Sequence, residues 1–291
     1  MRMGRISFTN VLPVYHALET NKVGTTAELI PDTPTALNKM IYRGELDITA
    51  VSSIAYARMA EEFIILPDLS ISSDGTVQSV LLLSKVPIDK LDGESISVTI
   101  ESATSVALLT ILLESYYCQN VKLIPSPGSL KDMLGNTPAA LLIGDSALRA
   151  LHAEKDLYVY DLGQEWKKFT GEKMVFAVWI AKRAAVRSRH AEVYRTWNEL
   201  QQSKQYGHTH PWEIAERASE ITKLDSEIML EYYRHLSYRL DEDYQRGLSC
   251  FFFHAYRIGL LDNPVKPEIW RGIHAAPNSR KSNSSRTFNI R

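Results

Sequence analysis

The stretch from Thr33 to Ser53, TPTALNKMIYRGELDITAVSS, decides how the chain is read. Thr33 is a helix cap, and Pro34 follows at the first helical position, where a missing N–H costs nothing. Leu37, Met40 and Ile41 recur at the i, i+3, i+4 spacing of one helical face. Gly44 supplies the left-handed residue that closes such a helix. Residues 48–51 then form a short apolar strand, and Ser52 and Ser53 open another helix through Ile54, Ala57 and Arg58. Strands and helices in alternation predict a largely parallel sheet with covering helices.

The same pattern extends in both directions. Residues 5–8 read as a first strand running into Asn10 and a helix-like segment over 11–18, and 27–30 read as a second strand. Beyond the turn signal Asp74-Gly75, residues 77–83 are a near-continuous apolar run, as in a strand covered on both faces. The unit then restarts. Residues 96–99 are a strand, Ser102 to Ser105 open a helix with Leu108, Ile111 and Leu112 inward, and 121–124, 139–143 and 158–160 add strands. A second buried run covers 175–180, and from 190 to 259 four helical segments follow. Two α/β units joined by two apolar connectors predict a two-lobed protein with a ligand cleft between the lobes. Lobe one is expected over 1–85 and 181–272, lobe two over 86–180, and a flexible tail, rich in Ser, Asn and Arg, over 273–291.

Composition removes several classes of function. The 33 basic and 34 acidic residues leave a formal net charge of −1, so no field attracts a phosphate backbone and no nucleic-acid partner is expected. Two distant cysteines, Cys118 and Cys250, give no disulfide framework and no zinc spacing, and read as reduced, buried thiols. Ser7, Thr9 and Asn10 interrupt any leader-like apolar run, and no apolar stretch reaches the roughly 20 residues of a membrane span, so a cytoplasmic protein is expected. Neither a glycine-rich nucleotide loop nor a nucleophile elbow occurs. His208-Thr209-His210, beside Pro211, reads as a solvated loop rather than a metal site, and Phe251-Phe252-Phe253 as core packing. No metal or cofactor is expected.

Polar residues gather where strands end: Thr9-Asn10, Ser52-Ser53 and Ser102 to Ser105. Carboxyl ends of strands face the crevice of an open α/β sheet, and helix N-termini offer unpaired N–H groups to an anion. One such cluster is an ordinary cap; three in corresponding places indicate an anionic ligand between the lobes. Ser79, inside a buried run, needs a partner or faces the cleft, and Asp145 ends a strand after Gly144.

Several segments resemble the chorismate dehydratases. They are Gly4 to Pro13 (GRISFTNVLP), Leu66 to Leu69, Ser73 to Val80 (SDGTVQSV), Ala103 to Val106, Leu142 to Asp145 (LIGD), Asp161 to Trp166 (DLGQEW) and Val175 to Trp179. They occur in order from about Arg5 to Arg183. The chain departs from the family at Gly75-Thr76 and Glu172-Lys173. The resemblance implies a type II periplasmic-binding-protein-like fold and a cofactor-independent hydro-lyase of the futalosine route to menaquinone. Such an enzyme takes chorismate to 3-[(1-carboxyvinyl)oxy]benzoate. Asn10 and Ser79 are then the catalytic candidates, and Ser52, Ser102, Thr104, Ser105, Gly144 and Asp145 the substrate-binding ones. The dihydroxynaphthoate-forming sister enzyme and a non-catalytic carboxylate-binding protein are the alternatives. Oligomeric state is not legible.

Overall fold

The computed structural model describes residues 1–272; the expected tail over 273–291 lies outside the described residues. The elements in chain order are β1 (Arg2–Ile6), α1 (Leu12–Glu19), β2 (Glu28–Asp32), α2 (Pro34–Arg43), β3 (Ile48–Ser52), α3 (Ser53–Arg58), β4 (Phe63–Ser73), β5 (Val80–Ser84), β6 (Ser95–Thr99), α4 (Ala103–Ile111), β7 (Lys122–Ser126) and α5 (Leu130–Asn136). There follow β8 (Ala139–Ile143), α6 (Gly144–Ala153), β9 (Tyr158–Asp161), α7 (Leu162–Thr170), β10 (Met174–Lys182), α8 (Arg183–Ser188), α9 (His190–Thr209), α10 (Pro211–Thr222), α11 (Ser226–His235) and α12 (Glu242–Arg257). A 3-10 turn, Thr9–Val11, precedes α1.

The strands form two five-stranded sheets, ordered β2-β1-β3-β10-β4 and β7-β6-β8-β5-β9. The two orders match position for position. In each sheet three parallel strands meet a fourth that arrives from the other lobe and runs antiparallel: β10 against β3, β5 against β8. The sheets are therefore mixed, not largely parallel. Sheet membership also moves the lobe crossings. β5 lies in the second sheet and β10 in the first, so the chain passes between sheets over 74–79 and 171–173. The boundaries expected at 85/86 and 180/181 fall inside the lobes, because both apolar connectors are themselves sheet strands. Only the end of the 77–83 run is strand; 77–79 belong to the crossing.

β4 went unread in the sequence because Pro67-Asp68 interrupts it. It is the edge strand of its sheet, where a proline is tolerated, and its register against β10 slips twice. Asp68 takes a positive φ of 52° there, and the Pro67 carbonyl, freed from the ladder, accepts from Trp197 Nε1 at 2.9 Å.

One hydrophobic core runs through the first sheet and its helices into the face of the second sheet that carries Ile96 and Leu141, and a smaller one lies under α5 and α6. Phe251 and Phe252 are buried while Phe253 is 54% exposed, so the aromatic run is only partly core. Cys118 is exposed and Cys250 half-buried, contrary to the expectation of two buried thiols. His208 and Thr209 close α9 rather than forming a loop. Among the described residues no helix is long and apolar enough to cross a membrane, and no three His, Cys, Asp or Glu side chains gather as metal ligands.

Candidate functional site

Helix starts converge where the two sheets face each other. The turn at Asn10 and the N-termini of α3, α4 and α6 surround a cavity that, with the solvent space at its opening, comprises about 590 Å³. Asn10, Ser52, Ser79, Ser102, Ser105 and Gly144 line it, together with Phe8, Phe176 and Glu101. Of the eight candidate residues that the resemblance implied, six thus lie together in the lining. The sequence reading missed the aromatic walls and Glu101, the single ionisable side chain of the lining. The signal for Glu101 was its position directly before Ser102 at a strand end.

Two polar atoms of this lining are buried without a partner: Asn10 Oδ1 and Ser52 Oγ. Buried polar groups are nearly always satisfied, and leaving one unpaired costs about 1–3 kcal/mol. Ser52 is the cap residue of α3 yet makes no capping hydrogen bond. The acceptor comes instead from the other lobe: Thr104 Oγ1, fully buried on α4, accepts from the backbone N–H of Ile54 at 3.0 Å. Thr104 therefore does not reach the cavity; it frees Ser52 to do so. Ser102 behaves as an ordinary cap, accepting from the Ser105 N–H at 3.2 Å, with the two hydroxyls 2.8 Å apart.

Asp145 also stays off the lining. Its Oδ1 accepts from the Thr9 hydroxyl and, at 3.4 Å, from the Thr9 N–H, a bond from lobe two to lobe one. Beside it Gly144 adopts a φ of 57°, and a Cβ there would lie 3.2 Å from the Phe8 ring, so a glycine lets that ring close against the second lobe.

Ser79 is fixed on three sides. Its N–H donates to the Val77 carbonyl at 2.7 Å, and its carbonyl accepts from the Gly144 N–H at 2.7 Å. Its hydroxyl meets Tyr232 Oη of α11 at 3.1 Å. The crossing segment before it is clamped by Asp161, the cap of α7. That carboxylate accepts from the N–H groups of Gln78 at 2.7 Å, Val77, Gly163 and Gln164. Burial holds the Asp161 carboxyl above the usual carboxylate range, against the opposing pull of those four N–H groups. The clamp supports Gln78 at a φ of 59°, a conformation a side chain rarely adopts.

The helical end of the chain supplies two further holds. Tyr233 Oη donates to the Thr9 carbonyl at 2.9 Å and Tyr238 Oη to the Asn10 carbonyl at 2.7 Å. Burial raises the phenols of Tyr232, Tyr233 and Tyr238 above their ordinary value, so all three are neutral donors. The cavity is thus lined by serine hydroxyls, the Asn10 side chain and apolar walls, with Glu101 as its single ionisable group, and the three tyrosines hold the lining from behind.

A family model described as menaquinone biosynthesis matches residues 1–257. The chain is 28% identical over 278 residues to the chorismate dehydratase of Thermus thermophilus, covering 90% of this chain and 97% of that one. It is 23% identical over 279 residues to the 1,4-dihydroxy-6-naphtoate synthase of the same organism, covering 92% and 98%. Among solved structures, a protein of Archaeoglobus fulgidus superposes with a TM-score of 0.76 at 20% identity, covering 89% of this chain and 98% of that one. The periplasmic aliphatic sulphonate binding protein of Escherichia coli superposes with a TM-score of 0.68 at 11% identity, covering 100% and 96%. The fold is of the type II periplasmic-binding-protein kind.

Proposed function

The chain belongs to the menaquinone biosynthesis family, and within it we propose that it is a chorismate dehydratase, a cytoplasmic carbon–oxygen lyase that eliminates water to give 3-[(1-carboxyvinyl)oxy]benzoate. The observation that carries this reading is the pair of unpartnered buried atoms, Asn10 Oδ1 and Ser52 Oγ, in a cavity ringed by helix starts. The ring hydroxyl of chorismate can donate to Asn10 Oδ1, and one of its two carboxylates can accept from the Ser52 hydroxyl. The greater identity to the dehydratase than to the dihydroxynaphthoate enzyme points the same way.

The elimination removes one ring proton and the ring hydroxyl, and the product ring is aromatic. That gain in ring stability drives the reaction without a cofactor. Binding and orientation then account for most of the catalysis. Asn10 hydrogen-bonds the reacting face, and Ser79 donates to a carboxylate or to the departing hydroxyl. The enolpyruvyl carboxylate of the substrate takes the ring proton. Ser102 and Ser105 at the start of α4, with Ser52 and the N–H groups beside Gly144, hold the second carboxylate. Thr104 and Asp145, off the lining, join the lobes around it.

The test is to incubate purified protein with chorismate alone and follow ultraviolet absorbance and mass. Loss of one water with a new benzoate chromophore supports the proposal. Chorismate left intact by folded protein overturns it. Turnover of a cyclic futalosine derivative would then identify the dihydroxynaphthoate-forming enzyme, and binding without turnover a carrier.

A further inference from the structure

Tyr232 is absent from every strand-end cluster, yet it holds the side chain of Ser79. Its hydroxyl is fully buried on α11 and lies 3.1 Å from Ser79 Oγ. No other partner of the Tyr232 hydroxyl occurs among the described residues. Were Ser79 the donor of this bond, the Tyr232 proton would be left unpaired in the interior, which native structures avoid. Tyr232 is therefore the donor, and Ser79 Oγ accepts. The Ser79 proton is left for the cavity, since the Ser79 backbone N–H and carbonyl are already engaged by Val77 and Gly144.

We infer that Tyr232 is a positioning residue of the reaction: it fixes the Ser79 hydroxyl as a donor aimed at the substrate. The inference rests on the dehydratase reading. A hydroxyl that can rotate alternates between donating and accepting; one whose lone pair is occupied donates, and does so more strongly through hydrogen-bond polarisation. Tyr232 does not touch the substrate and passes no proton to it. Its effect reaches the transition state through Ser79 alone.

The experiment is a double-mutant cycle on chorismate turnover with Tyr232→Phe and Ser79→Ala. Tyr232→Phe keeps the ring and its packing, so circular dichroism should be unchanged. We expect it to lower kcat on the order of 10-fold, the scale of one lost oriented hydrogen bond, with KM within about 2-fold. In the Ser79→Ala background the same substitution should leave kcat unchanged. Two independent, multiplying losses would overturn the inference, as would a rise in KM with kcat intact. The double variant has no orphaned partner, so it is read against Ser79→Ala even where Tyr232→Phe alone is unstable. An inert wild-type enzyme would overturn both readings and shows itself before any variant is made; an active wild type with additive variants overturns this one only.

Discussion

Asn10 and Ser52 present polar atoms that the fold buries and does not satisfy. Such atoms carry an energetic cost where they stay unpaired, and a bound ligand can relieve it. Asn10→Ala should therefore cut kcat by about 10²-fold while leaving stability unchanged or raised by up to about 1–3 kcal/mol, read by turnover and thermal unfolding. A large destabilisation would mark Asn10 as a structural residue. Glu101 works in the opposite sense, because a carboxylate at the rim repels a dianion. Glu101→Gln should lower KM for chorismate several-fold, most at low salt, where screening is least. Loss of turnover with unaltered binding would instead make Glu101 the base and remove that role from the substrate. At this scale much of the site was legible. Asn10, Ser52, Ser102, Ser105 and Gly144 could be placed because strand ends face the crevice, and Ser79 because a hydroxyl inside a buried run needs a partner or faces the cleft. Thr104 turned elsewhere because it neighbours Ser105 on a helix, and adjacent helical residues face different ways. Tyr232 left no local trace, being 153 positions from its partner.

Helix ends are where the elements of this protein do their work. α3 receives its capping acceptor from α4 across the lobes. Thr104→Val removes that acceptor without changing shape and should cost about 1–3 kcal/mol in thermal unfolding, whereas Thr104→Ser should cost less. It should also raise KM, because Ser52 can then turn back to cap its own helix. An unchanged melting curve in the valine variant would show that the bond contributes nothing. The C-terminal segment docks similarly by its backbone: the Ile65 N–H donates to the Glu268 carbonyl at 3.0 Å, and the Trp270 N–H to the Ile65 carbonyl at 2.8 Å. The Arg183 guanidinium, 2.7 Å from Glu268, holds that carboxyl below the usual carboxylate range. A depressed acid contributes stability that is present above its unfolded pKa and lost as pH falls through its lower folded one. Protection of the Ile65 and Trp270 amides against hydrogen exchange should therefore drop on acidification below about pH 4. The drop is worth no more than about 1 kcal/mol, since the Glu268 side chain is 58% exposed. Legibility was poorer for elements than for residues. Helix caps such as Thr33 declared themselves, but β4 hid behind Pro67-Asp68, which marks a break in isolation and an edge-strand bulge in the folded sheet.

At the scale of the molecule, three contacts join the lobes beside the cavity: Thr9 with Asp145, Ile54 with Thr104, and the Phe8 ring against Gly144. A ligand lying between them binds the folded, closed protein and not the unfolded chain. At 100 times its Kd it should stabilise the fold by about 2.7 kcal/mol. At 2–4 °C per kcal/mol, the rise in Tm should be about 5–10 °C. A Tm that ignores the dehydration product would exclude it from this cleft. The two-lobed plan was visible in the sequence as two α/β runs, but not the direction of the connectors, since an apolar run fixes burial and not orientation.

Each sheet borrows its fourth strand from across the cleft, and the two loans fall due at different times during synthesis. Lobe two is continuous, from β5 to α7, and all five strands of its sheet are made once residue 170 is free of the ribosome. Lobe one begins first and finishes last: β3 keeps an unpaired edge until β10 emerges, and its helical cover comes later still. The inserted lobe therefore completes its sheet ahead of the one that precedes it. Ribosome-stalled chains ending just after α7 should hold a protease-resistant second lobe beside a first lobe still open to cleavage.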